Sequence, residues 1–106
     1  QFRRINVTLG LTYQTPAHKV TEFCEGVRRI ILEQENTRKD EFQVWFKNFS
    51  ESSLDVMLYC FFKVPDWTEE LRARENLLLD IYRFAEEIGV SFAYPTQTLF
   101  VENKSQ

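Results

Sequence analysis

Strand and helix periodicities follow one another in the order strand, helix, strand, strand, helix, strand, and this order predicts an α+β fold. Three observations carry the prediction. The amino end alternates almost strictly, two adjacent alternating runs meet at a polar turn in the middle, and two long stripes of helical spacing flank that pair. The simplest closed solution is a ferredoxin-like βαββαβ sandwich, with two helices on one face of a mainly antiparallel sheet and a strand-like C-terminal tail.

The first strand is read over Arg3–Tyr13. Ile5, Val7, Leu9, Leu11 and Tyr13 point one way, and Arg4, Asn6, Thr8, Gly10 and Thr12 the other. Thr15-Pro16 then opens a helix as a cap residue followed by proline at the first helical position. Val20, Phe23, Cys24, Val27, Ile30 and Ile31 make its apolar stripe, which fades by Asn36. Thr37-Arg38-Lys39-Asp40 is read as a solvated turn.

Phe42, Val44 and Phe46 alternate with Glu41, Gln43 and Lys47, and Leu54, Val56, Leu58, Cys60 and Phe62 follow the turn Glu51-Ser52-Ser53. The pair is expected to form an antiparallel hairpin, with a bulge or early strand end near Phe49, which breaks phase. Pro65 closes the third strand. Asp66-Trp67-Thr68-Glu69 has the arrangement of a capping box. Leu71, Arg74, Leu78, Ile81, Ala85 and Ile88 run down one face, widened by Leu77, Leu79, Tyr82 and Phe84, until Gly89 stops the helix. At 1.5 Å per residue this helix is roughly 34 Å long. Val90, Phe92 and Tyr94 alternate as a closing strand that Pro95 ends. Residues 1–97 are taken as one domain and 98–106 as a tail. Its apolar run Leu99-Phe100-Val101 is too short for a core of its own and needs a partner, best supplied by another copy of the chain.

The composition narrows the function. With 43% hydrophobic and 27% charged residues, the chain has an ordinary globular balance. The net charge is -3, with both signs mixed, which gives no electrostatic basis for binding nucleic acid. A base-stacking sheet is also disfavoured, because Arg4, Asn6, Thr8 and Gly10 put no ring on the relevant face of the first strand. Cys24 and Cys60 are expected to be buried, reduced core residues. No apolar run approaches the ~20 residues needed to cross a bilayer. With no signal-peptide pattern and Gln1 as first residue, the chain is expected to be a soluble piece of something larger.

Enzymatic chemistry finds little support. His18 stands alone in an exposed first helical turn, too few ligands for zinc. The cysteines lack Cys-x-x-Cys spacing, and Glu33, Glu35, Glu86 and Glu87 belong to solvated helix faces. No phosphate loop or nucleophile elbow occurs. No catalytic residue, metal or cofactor is therefore expected.

Three segments carry a resemblance. Leu11-Thr12-Tyr13-Gln14-Thr15-Pro16, Phe49-Ser50-Glu51-Ser52-Ser53-Leu54 and Gly89-Val90-Ser91-Phe92-Ala93-Tyr94-Pro95-Thr96-Gln97-Thr98 occur in order and at the right spacing. Together they resemble the carboxy-terminal α/β domain of the small-conductance mechanosensitive channels, over about Arg3 to Val101. The resemblance implies a domain that follows the pore helices and a small β domain. In that family copies form a ring, a heptamer, enclosing a vestibule at the inner, cytoplasmic mouth of a tension-gated pore in osmotic protection. Phe2, Arg3 and Arg4 would then sit at the junction with the preceding domain, and Leu99–Val101 would lead towards an inter-subunit strand. Arg28, Arg29, Lys47 and Glu69 could line the vestibule, although ordinary solvation also accounts for them.

The third strand has a second apolar face, Met57, Tyr59 and Phe61, which Trp45 on the second strand can join. Aromatic side chains bury ~150–250 Å² each, so such a patch on the open side of a sheet points to a subunit interface. The competing account folds the long helix or tail over it within one chain. The alternative function is a small-molecule-sensing or regulatory module of the same fold. Its glycine-containing loop finds only Gly10, Gly26 and Gly89 to draw on. No small-molecule ligand or nucleic acid is expected as a partner.

Overall fold

Five elements follow in order in the computed structural model, which describes residues 2–93: β1 (Phe2–Leu11), α1 (Ala17–Glu33), β2 (Gln43–Phe49), β3 (Leu54–Lys63) and α2 (Trp67–Ile88). The sheet has the order β1-β3-β2, and both pairings are antiparallel. Two helices over an antiparallel sheet make the α+β fold the periodicities predict. The expected closing strand is reduced, among the described residues, to a single bridge: Phe92 pairs with Leu11, Thr12 donates to the Ser91 carbonyl, and Ala93 donates to that of Gly10. This segment therefore lies antiparallel along the outer edge of β1. Tyr94, Pro95 and the tail, with Leu99, Phe100, Val101 and the expected boundary at 97, lie outside the described residues.

Register decides which side chains meet. Ile5 faces Cys60, Val7 faces Leu58, and Val44 faces Leu58 from the other side. These residues point towards the helices. Phe23, Val27 and Ile31 of α1 and Leu77 and Ile81 of α2 close the core over them, all at 1% exposure or less. Removing a side chain of this size from water contributes ~1.5–3 kcal/mol each. The register shift between Phe46 and Asn48 is the bulge that the phase break at Phe49 predicts.

The helix ends differ from the sequence reading in one place. Pro16 is itself the N-cap of α1, in extended backbone, and its carbonyl accepts from Lys19 and Val20. Thr15 does not cap, because its hydroxyl is turned to that of Thr12, 3.2 Å away. On α2 the Asp66 carboxylate accepts from the Glu69 backbone N–H at 2.9 Å, the expected half of the capping box. The Glu69 side chain instead pairs with Arg72. Gly89 ends α2 at φ 77°, a left-handed conformation that costs a glycine little.

Two expectations about burial are corrected. The innermost stripe of α2 is Ala73, Leu77, Ile81 and Ala85, whereas Leu71, Leu79 and Tyr82 are exposed. The helix carries more apolar residues than one face can bury, and its rotation is set by packing against α1. The turn after α1 is not fully solvated either. Thr37 is buried, donates to the Ile31 carbonyl, and bridges Phe62 of β3. At a helix terminus the last carbonyls lack full intrahelical partners, and this hydroxyl adds a second donor to the Ile31 carbonyl, which also accepts from the Gln34 backbone N–H.

Candidate interface surfaces

The helix-free face of the sheet brings the sequence-derived residues together. Trp45 sits opposite Met57, which sits opposite Thr8, and Tyr59 lies between Gln43 and Asn6. Phe61 faces Arg4. Directly paired residues of antiparallel strands share a face, so Trp45, Met57, Tyr59 and Phe61 all belong to the side away from the helices. Met57, Tyr59 and Phe61 are half-buried, and no helix lies on their side of the sheet among the described residues; Trp45 is exposed at the β2 edge, where Arg28 of α1 reaches round to its ring. Tyr59 and Phe61 meet edge to face, with centroids 5.4 Å apart.

The three junction residues separate. Phe2 and Arg4 belong to the helix-free face, whereas Arg3 turns inward and pairs with Glu70 of α2 at 3.2 Å. Arg38 lies over the Phe2 ring at 4.9 Å and over Phe61 at 6.0 Å, a cation held against ring faces. It reaches them because its backbone N–H donates to the Phe61 carbonyl, which extends the sheet beyond β2. Its guanidinium also holds Asp40: the hydrogen bond from Arg38 is the leading cause that keeps that carboxyl below its usual range. Sequence reading assigned no function to Arg38, since nothing local in Thr37–Asp40 announces the pairing with β3.

Two further apolar surfaces lie at opposite edges of the sheet, and neither was singled out from the sequence. At the β2 edge, Tyr13, Trp45, Phe46 and Phe49 surround a hollow of about 560 Å³ walled by α1. Phe49 is 71% exposed although it meets Phe46 edge to face at 5.2 Å. Arg28 lies over the Trp45 ring at 4.9 Å and donates to the Val44 carbonyl. At the β1 edge, Leu71, Leu78, Leu79, Tyr82 and Phe92 line a groove of about 580 Å³. Exposed rings and leucines gathered in this way form continuous apolar patches rather than scattered apolar residues.

The remaining candidates stay apart. His18, Glu33, Glu86 and Glu87 are exposed on the helices, and Glu35 is exposed in the turn after α1. Arg29 and Lys47 are exposed, while Arg28 and Glu69 are half-buried. Burial pushes the Cys60 thiol up to about 12 and raises that of Cys24, against which Arg28 acts in the opposite sense.

Comparison with known proteins decides the family. The description "Mechanosensitive ion channel MscS, C-terminal" matches residues 5–92. The chain belongs to the MscS mechanosensitive channel family. Its expected resemblance is thereby shown. The chain is 37% identical over 102 residues to the low conductance mechanosensitive channel YnaI of Escherichia coli, covering 95% of this chain and 29% of that protein. It is 28% identical over 102 residues to the large-conductance channel MscMJLR of Methanocaldococcus jannaschii, covering 93% and 28%. The cryo-EM structure of Arabidopsis thaliana MSL1 superposes with a TM-score of 0.78 at 13% identity, over 90% of this chain and 35% of that one. At that identity the likeness is one of fold. This MscS-family domain thus spans less than a third of the two curated relatives' length. No described helix is long and apolar enough to cross a membrane. The family is one of channels, and the small-molecule-sensing alternative is not favoured.

Proposed function

We propose that this domain is the vestibule module of a tension-gated channel, placed on the cytoplasmic side of a membrane-embedded parent. It spaces the subunits of a ring, a heptamer by family resemblance, and screens solutes approaching the pore in osmotic protection. The observation that carries this reading is the family match across residues 5–92. The mechanism is mechanical and electrostatic, with no bond made or broken. The helix-free face holding Met57, Tyr59 and Phe61, with Trp45 at its β2 edge, supports it, since an apolar sheet face in water is satisfied by a neighbouring subunit. Phe2, Arg3 and Arg4 begin β1 and form the junction with the preceding domain, with residues 1–97 as the body. Residues 98–106, through Leu99, Phe100 and Val101, lead towards the strand that gathers the copies.

The full-length protein in liposomes tests the activity: suction on a patch should open a conductance, and a silent patch containing assembled protein rejects the reading. For the interface, Tyr59→Asp combined with Phe61→Asp should break the native assembly seen by light scattering. An unchanged particle mass would remove this face from the interface.

A further inference from the structure

Phe2 and Lys63 form the last pair at one end of β1 and β3. Strand ends open most readily, because few contacts hold them and each opened pair exposes the next. This end is reinforced. Lys63 donates its backbone N–H to the Asn36 carbonyl at 2.7 Å, and Arg38 donates its own to the Phe61 carbonyl at 2.9 Å. Residues 36–38 thus lie along β3 as a short extra strand, beyond the reach of β2, whose first pair is Gln43 with Tyr59. From there the Arg38 side chain crosses β3 on the helix-free face, over the Phe61 ring at 6.0 Å to the Phe2 ring at 4.9 Å. Asp40 at 2.8 Å and Glu41 at 3.3 Å hold the guanidinium. On the helix side Arg3 is tied to Glu70 at 3.2 Å.

We propose that Arg38 is a positioning residue, a strap that fastens Phe2 across β3 to the chain leaving α1. Load reaching Phe2 is then spread over β1, β3 and α1 instead of peeling β1 from the sheet one pair at a time. This rests on the reading of Phe2, Arg3 and Arg4 as a junction and adds the device that receives the pull there. The residue type suits the task. A guanidinium is planar, so it lies flat on ring faces while its edge donates to carboxylates, which a compact ammonium does less well. The placement suits it too. Arg38 and Glu70 hold adjacent residues of β1, whose side chains point to opposite sides of the sheet, so the strand end is gripped from both faces. The ladder shows where slack would appear. Phe61 and Lys63 turn their backbone bonds to residues 36–38, so Phe62 turns its own to β1, and Arg3 with Phe62 is the hydrogen-bonded pair nearest the end.

Hydrogen exchange and force measurements on the chain test it, with circular dichroism verifying the fold of each variant. In Arg38→Gln the Arg3 and Phe62 amides should exchange about two- to fivefold faster, the scale of one exposed cation–π contact. The Leu9 and Val56 amides, paired near the other end, should keep the parent rate. Phe2→Leu should reproduce the effect, and combining it with Arg38→Gln should add little, because both remove one contact. In an optical trap with handles at the two chain ends, Arg38→Gln should give way at a lower force than the parent. With the first handle moved to Phe49→Cys, an exposed site that leaves β1 out of the loaded path, the two forces should match. Unchanged exchange at Arg3 and Phe62 overturns the proposal. So does a rise that is uniform along β1, or an equal loss of force in both geometries, since either marks a general stabiliser and not a strap. The junction reading fails on a different result, limited proteolysis of the full-length protein showing no folded unit ahead of Phe2. The measurements on the chain would stand in that case, so the two failures are distinguishable.

Discussion

Gly26 on α1 lies directly beneath the ring of Phe84 on α2, so closely that a methyl group at position 26 would overlap the ring. The same ring stacks against Phe23 with centroids 6.4 Å apart and has Arg29 over it at 5.8 Å. This contact fixes the rotation of α2. With Phe84 turned towards α1, Leu77 and Ile81 point into the core, and Leu71 and Tyr82 point out along the groove.

Gly26→Ala is therefore expected to destabilise the domain by ~1–3 kcal/mol through overpacking, against a helix-propensity gain of ~1 kcal/mol. Urea unfolding reads the balance. A midpoint that rises would mean that the ring swings aside and that the contact does not set the helix rotation.

The two leucine stripes of α2 separate cleanly in the same measurement. Leu77→Ala should cost ~2–5 kcal/mol, because Leu77 is fully buried and its loss leaves a cavity. Leu71→Ala, at a 45% exposed position, should stay within ~0.5 kcal/mol at dilutions where the chain is monomeric. Equal costs would contradict the observed rotation.

Acid should release Arg38 from Asp40. The folded carboxyl titrates below its ordinary value, so the pair's contribution is present above that value and is lost as pH falls through the lower, folded one, that is, below about pH 4. The carboxyl carbon of Asp40, followed by NMR, should show a midpoint that rises in Arg38→Gln. An unmoved midpoint would assign the depression to another partner.

The sequence by itself determined what depends on neighbours along the chain. The alternation of Ile5 to Leu11 and of Leu54 to Phe62, the Asp66 cap, the Gly89 stop and the bulge before Phe49 are local patterns, and each element formed where its period placed it. The shared face of Met57, Tyr59 and Phe61 was legible for the same reason, since period two fixes the face once a strand exists. Tertiary structure decided what depends on groups distant in sequence. Which side of α2 is buried follows from Phe84 meeting Gly26, 58 positions earlier, and not from the helix's own broad apolar surface. Thr37 is buried because β3 and the end of α1 both need its backbone and hydroxyl, although its sequence neighbours are charged. The edge surfaces also exist only once the sheet order β1-β3-β2 is set, since that order leaves β2 and β1 on opposite rims. Strand pairing selects among registers that the chain writes down equally well, and only the packed core makes one of them lower in free energy.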